Sequence, residues 1–193
     1  FQFKTTVGMN VEQGTSKSFT PKTYWDKGDK NVLMNSLSED RSRKSEFVWN
    51  NTLTFTKKFN DSHNLNVLFG TEAIKTSYDY LSASRNQFLL ENVDYRYLDA
   101  GELNKDNAGN AYAYSLFSLF ARVNYSYKDK YYLGGIIRRD GSSRFGENNR
   151  YGYFPGVNAA WRLSEENFMK DIDFFSDLKV RASYGLTGNQ EIG

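Results

Sequence analysis

Phe1-Gln2-Phe3-Lys4-Thr5-Thr6-Val7-Gly8-Met9-Asn10-Val11-Glu12 places Phe1, Phe3, Val7, Met9 and Val11 on one parity and Gln2, Lys4, Thr6, Asn10 and Glu12 on the other. Successive side chains of an extended strand point to opposite faces, so this segment reads as a strand with one apolar and one polar face. At about 3.3 Å per residue it reaches roughly 40 Å, and a tilt near 45° projects that to about 28 Å, close to the apolar band of a membrane-spanning barrel. Ordinary strands are about half as long.

The same alternation recurs downstream. From about Glu46 to Lys57, Phe47, Trp49, Leu53 and Phe55 oppose Asn50, Thr52, Thr54 and Thr56. After a turn at Asn60-Asp61-Ser62, Leu65, Val67, Phe69 and Ala73 oppose Asn64, Asn66 and Glu72. Residues 113 to 127 allow two readings, because Leu116, Leu119, Phe120 and Val123 also match a helical spacing. The strict alternation of Val123-Asn124-Tyr125-Ser126-Tyr127 selects strand. A turn at Lys128-Asp129-Lys130 leads to Tyr131, Leu133 and Ile137. Further strands carry Tyr153, Val157, Ala159, Trp161 and Leu163, then Leu178, Val180, Ala182 and Tyr184. The expectation is an all-β, antiparallel up-and-down segment of about seven strands, taken from a larger transmembrane β-barrel.

Connector lengths support a barrel in a membrane. About 30 residues separate strands at 13 to 44 and at 81 to 112, against three or four at 60 to 63 and 128 to 130. Compact soluble domains seldom hold two structureless loops of that size, whereas outer-membrane barrels combine long external loops with short periplasmic turns. Parity then puts 13 to 44, 81 to 112 and 140 to 152 outside and 164 to 177 in the periplasm. There Ser164, followed by Glu165 and Glu166, is predicted to cap a one-turn helix through Phe168 and Met169.

Composition agrees. Aromatics make up 17% of the chain, yet mean hydropathy is −0.69, so β-favouring rings are set in an otherwise polar sequence. No apolar run is long enough for a membrane-spanning helix, which leaves a barrel open. A net charge of +2 gives no reason to expect nucleic acid, and the absence of cysteine excludes disulfides and thiolate metal sites. The chain opens on Phe1 inside a strand, with neither initiator Met nor signal peptide, and further sequence is expected upstream.

Three stretches carry a family resemblance. The first comprises Arg138-Arg139-Asp140-Gly141-Ser142-Ser143-Arg144-Phe145-Gly146, Tyr151-Gly152-Tyr153-Phe154-Pro155 and Ala160-Trp161-Arg162-Leu163-Ser164-Glu165-Glu166 in succession. With Leu178-Lys179-Val180-Arg181-Ala182-Ser183-Tyr184-Gly185-Leu186-Thr187-Gly188-Asn189-Gln190, these cover about the last third of the chain and resemble barrels of SusC/RagA-like TonB-dependent outer-membrane transporters. Upstream, His63-Asn64-Leu65-Asn66-Val67-Leu68-Phe69-Gly70 is the best local match. The resemblance implies a bacterial outer-membrane importer with a barrel of roughly 22 strands and a plugged lumen. It also implies a SusD-like surface lipoprotein, the TonB complex acting through an amino-terminal part outside this sequence, and oligosaccharide or peptide cargo. Plug, TonB box and remaining strands are expected to lie outside residues 1 to 193. No cofactor is expected.

Little here suggests catalysis. The single histidine, His63, leaves no material for a His-based triad or a two-His metal site, and a structural or solvent-exposed role is the simpler reading. Glu39 with Asp40, and Glu165 with Glu166, could suggest paired acid/base carboxylates. Adjacent carboxylates on loops are more often solvated caps, and nothing in the neighbouring sequence would perturb their pKa. Arg138, Arg139, Asp140 and Arg144 could grip an anionic cargo or lipopolysaccharide phosphates. The plainer reading has Asp140-Gly141 forming a turn while the charges brace the rim. In the outer loops Tyr24, Trp25, Tyr95 and Tyr97 either stack on sugars or a lipoprotein lid, or pin the loops. Trp25, Tyr95, Tyr97 and Arg144 are the candidate substrate- or lid-contacting residues.

Two other classes compete. A soluble β-sandwich carbohydrate-binding module would also alternate, with shorter strands and more even loops. An enzyme or adhesin on a small barrel would need a closing, even strand count.

Overall fold

The structure is a computed structural model that describes residues 1–24, 31–169 and 174–190. Seven strands run in sequence order in one sheet. They are β1 (Gln2–Thr20), β2 (Ser36–Phe59), β3 (His63–Phe88), β4 (Gly101–Tyr127), β5 (Tyr131–Ser142), β6 (Tyr151–Arg162) and β7 (Lys179–Gly185). The described residues otherwise contain short 3-10 turns and no helix long and apolar enough to cross a membrane. All seven expected strands are present, and residues 113 to 127 are strand, as their alternation indicated.

Antiparallel register fixes the faces of the last four strands. Leu133 sits between Tyr125 of β4 and Ala159 of β6, and Ala159 in turn faces Ala182 of β7. One residue along, Gly134 lies between Asn124 and Asn158, and Asn158 faces Ser183. A one-residue slip would exchange these rows, so the contrast between them pins the pairing.

The chain divides into two compact units, Phe1–Gly8 with Phe47–Lys75 and Tyr114–Gly193, and Met9–Glu46 with Thr76–Ala113. Strands β1 to β4 contribute to both, and β5 to β7 belong to the first. Leu37 and Phe88 are the only fully buried apolar residues described, whereas Phe3, Phe69, Leu133, Val157 and Tyr184 stay more than half exposed. One sheet without a dry interior is incompatible with two stacked sheets, which removes the β-sandwich alternative.

Three local expectations are corrected. Among the described residues the stretches 13 to 44 and 81 to 112 are mostly strand, with β1 running on to Thr20, β2 starting at Ser36, β3 running on to Phe88 and β4 starting at Gly101. Asp140-Gly141 is no turn but lies within β5, paired with Ser118 and Phe117 of β4. A Cβ on Gly141 would fall 2.5 Å from the Tyr151 ring, so the glycine there makes room for an aromatic on the next strand. Ser164 does not cap a helix through Met169. It lies inside a 3-10 turn at Leu163–Glu165, its hydroxyl donates to Asp177 (3.1 Å), and a separate 3-10 turn follows at Asn167–Met169.

Candidate functional site

In the first unit the sheet is a wall with two chemically different faces. Phe1 packs on Phe55 (4.9 Å between ring centroids), and Trp49 Nε1 donates to Thr5 Oγ1 (3.1 Å), which puts the odd positions of β1 and β2 on one side. By register, Leu119, Val123, Leu133, Ile137, Val157 and Val180 share the corresponding odd-numbered face of β4 to β6 and the even-numbered positions of β7 that pair with it. Its polar exceptions are few. Asn51 donates to Thr71 (3.3 Å), and Arg139 rests on Tyr151 with its guanidinium 3.9 Å from the ring centroid.

The opposite face is mainly polar, with Phe120, Ile136 and Phe154 as its apolar exceptions. Arg138 donates from Nη2 to Glu72 (2.7 Å) and to the fully buried Ser118 hydroxyl (2.8 Å), and from Nε to Asp140 (2.6 Å). Two carboxylates and a hydroxyl thus hold the Nε and Nη2 donors of one side chain drawn between three strands. Asn66 donates to Thr56 (2.8 Å), while Asn64 donates to Ser126 (3.2 Å). Arg122 and Arg181 also point to this side by register, both exposed.

Where the short turns gather, rings form a belt on the apolar face. Tyr127, Tyr131 and Trp161 stack in series, each 6.3 Å from the next, and Phe168 meets Trp161 edge-on. His63 joins it, with Nδ1 2.6 Å from the Tyr125 hydroxyl and its ring 4.8 Å from Tyr127. Glu166 anchors the belt. Its Oε1 accepts from Tyr131 Oη (2.6 Å) and Trp161 Nε1 (3.1 Å), while Lys130 lies 3.5 Å from Oε2. These donors, Tyr131 above all, hold the Glu166 carboxyl below its usual pKa range. The expectation that nothing perturbs this carboxylate is therefore wrong: Trp161 reaches it from five residues away at the end of β6, and Tyr131 and Lys130 come from more than thirty residues upstream. Asp177 is lowered likewise, by Arg162 first and then Ser164.

The candidate contact residues are distributed between the units. Trp25 lies outside the described residues. In the second unit Tyr95 ends a 3-10 turn and Tyr97 precedes another, both rings about half exposed. The loop is pinned by Arg96, whose guanidinium lies 4.3 Å over Phe19 and whose Nε donates to the Glu91 carbonyl (3.0 Å). The Glu91 carboxylate accepts from the Lys22 amide (2.9 Å) and Asn35 Nδ2 (2.8 Å), joining connectors 21 to 35 and 89 to 100, and these bonds lower its pKa, Lys22 first. Asn35 is fully buried and exchanges two hydrogen bonds with the Phe88 backbone, as a neighbouring strand would. In the first unit Arg144 is braced, 3.9 Å over the Tyr114 ring and within 3.4 Å of the Gln190 carbonyl. Gln190 itself lines a cleft of about 360 Å³ with Asp140, Ser142, Phe145 and Phe154, and its buried Oε1 accepts nothing among the described residues. Sequence reasoning missed Gln190, Glu91 and Asn35, since only pairing across strands reveals them. Among the described residues no group of three or more His, Cys, Asp or Glu could hold a metal ion.

A scan against family models finds no match. The chain is 38% identical over 197 residues to TonB-dependent receptor P39 of Formosa agariphila, covering 99% of this chain and 18% of that protein. It is 33% identical over 155 residues to TonB-dependent receptor SusC of Bacteroides thetaiotaomicron, covering 76% and 15% respectively. The chain thus spans less than a fifth of the length of these curated relatives. Among solved structures, the RagAB peptide transporter matches 99% of this chain and 21% of its own at a TM-score of 0.88 and 27% identity. The RagAB peptide importer in its open-open state matches at 0.87 and 28%. A two-faced seven-stranded sheet, the succession of motifs in its last third and these relatives agree: the chain belongs to the SusC/RagA family of TonB-dependent receptors, as a segment of the β-barrel.

Proposed function

We propose that this chain is part of the wall of a TonB-dependent importer in the bacterial outer membrane. The observation that carries the reading is the sheet of the first unit, apolar and exposed on one face and hydrogen-bonded and polar on the other. Hydrocarbon would meet the first face and the water-filled or plugged lumen the second. In β5 and β6, each 12 residues long, such a wall reaches roughly 40 Å along the strand, or about 28 Å when tilted. The remaining strands of a barrel of about 22, a plug and a TonB box belong elsewhere in the full-length protein. The wall has no catalytic role on this reading.

The cargo class is an oligosaccharide or a peptide, taken up with a SusD-like lipoprotein. RagAB is described as a peptide transporter, which supports the peptide arm, and SusC-type relatives support a receptor of the same kind. Tyr95 and Tyr97, with rings about half exposed, and Trp25 are proposed to meet cargo or lid, and Arg144 to hold the rim beside the Gln190 cleft.

Uptake by cells producing the full-length receptor tests this. Fluorescent peptides and oligosaccharides are expected to accumulate only with an intact proton-motive force, in one cargo class, and less after Tyr95→Ala with Tyr97→Ala. Recovery of the receptor in the aqueous phase without detergent would end the reading.

A further inference from the structure

Arg138 and Arg139 are adjacent, so the pleat sends them to opposite faces. Arg138 is neutralised by Glu72 and Asp140. Arg139 projects from the apolar face, and among the described residues no carboxylate lies within ion-pair distance of it. Its guanidinium is held 3.9 Å from the Tyr151 ring centroid and 5.8 Å from that of Tyr153, and its Nε is buried without a hydrogen-bond partner. Two tyrosine faces orient the planar cation but use none of its N–H donors. Arg139 lies two residues from Gly141 and three from the end of β5, beside the connector to β6 and away from the Tyr131–Trp161 belt.

Below it the same face is grooved. A cleft of about 470 Å³, almost wholly apolar, spans the strands and is lined by Phe3, Leu53, Phe69, Leu119 and Ile137, with Arg139 and Tyr153 also in its wall. A greasy trough with an oriented, unneutralised guanidinium in its wall matches one kind of molecule, an acyl chain ending in an anion. We propose that Arg139 binds the phosphate of a membrane lipid whose acyl chain lies in this groove. The proposal rests on the outer-membrane reading and adds a specific lipid site to it. The phosphate supplies the acceptors that the Arg139 N–H groups lack, and bidentate pairing suits a guanidinium better than an ammonium.

The test uses full-length receptor in detergent micelles carrying dioleoyl phosphatidylglycerol, with bound lipid counted by native mass spectrometry. Wild type is expected to retain the lipid, and Arg139→Gln to weaken retention by about tenfold or more, as loss of a charge-assisted hydrogen bond implies. Arg139→Lys should fall between them, and Arg122→Gln, on the opposite face, should match wild type. Equal retention by Arg139→Gln and wild type would show that the guanidinium merely packs on its rings and would overturn the proposal. Deacylated glycerophosphoglycerol and inorganic phosphate, at millimolar concentration, are expected not to displace the lipid. Displacement by either means a free-anion site that does not use the groove, and the lipid assignment fails while the membrane reading stands. Should Arg139→Gln not assemble, wild type decides alone, since retention must exceed that of dioleoylglycerol, which has the same chains and no phosphate, and fall with salt. A receptor that never fractionates with the outer membrane defeats the membrane reading and this proposal with it.

Discussion

Val157 and Asn158 are joined by one peptide bond, yet the pairing of β6 with β5 gives Val157 the row of Gly135 and Asn158 that of Gly134, on opposite faces. Counting along β5 from the Tyr131 belt to Gly141, the Val157 row lies near the middle of the apolar band and the Leu133 row nearer its edge. Val157→Lys is therefore expected to cost about 2 to 4 kcal/mol of folding into a bilayer, Leu133→Lys less, and Asn158→Lys least. Urea titration of refolding into vesicles measures all three, and equal costs at Val157 and Asn158 would overturn the facing assignment. This facing was legible in sequence, because a period of two needs no knowledge of the partner strand. Glu166 was not, since Tyr131 and Trp161 reach it from two strands. Its carboxyl titrates below the ordinary range when folded, so the unfolded chain binds more protons in acid. The stability it contributes is complete above the ordinary carboxylate pKa and is lost as pH falls through the lowered folded value. Melting curves from neutral pH to about pH 3 should show a shallower acid loss for Glu166→Gln than for wild type.

Strands were easier to find than to measure. In the near parts of β1 and β2, residues 1 to 12 and 46 to 57, the apolar and polar parities differ sharply, and those strands followed directly; in β5 and β6 the contrast is weaker, with Tyr132, Ile136 and Phe154 on the polar parity. The far parts of β3 and β4 read as loops because Gly-Glu-Leu-Asn-Lys-Asp-Asn-Ala-Gly-Asn at 101 to 110 carries polar or small residues on both parities, as an exposed ribbon allows. Such a ribbon is held by backbone ladders and by contacts such as the Tyr78–Tyr112 stack and Asp40 accepting from Tyr80 and Ser82, none of which has a period. Between β3 and β4 in the first unit, Phe120 lies directly over buried Gly70, and a Cβ at Gly70 would sit inside that ring. Glycine beneath an aromatic on the next strand lets the sheet curve without a void. Gly70→Val is expected to push Phe120 aside at a cost of about 1 to 3 kcal/mol, read as a lower urea midpoint, and no change would mean the ring moves freely.

At the scale of the chain, seven strands in sequence order leave two outer edges, on β1 and β7, without neighbours among the described residues. On the importer reading those edges would lie in hydrocarbon, where unpaired backbone groups cost several kcal/mol each, so that reading requires further strands to cover them. Residues 1–193 produced alone should aggregate or refold only in part, whereas the full-length receptor should resist SDS until heated. A monodisperse, protease-resistant 1–193 fragment would contradict this. The barrel class was legible from strand length and alternation, and the family from motifs at 138 to 190. Cargo identity was not, because connectors differ in what they contact and not in how they pair. The Glu166 clasp has a mechanical corollary. A phenol and an indole from neighbouring strands, tied to a single oxygen atom, cannot slide past one another, so that rim behaves as a fixed waterline. When the surrounding bilayer thins or thickens, the wall must adjust its draught at the far border, and emission from Trp161 should stay constant across lipids of different chain length.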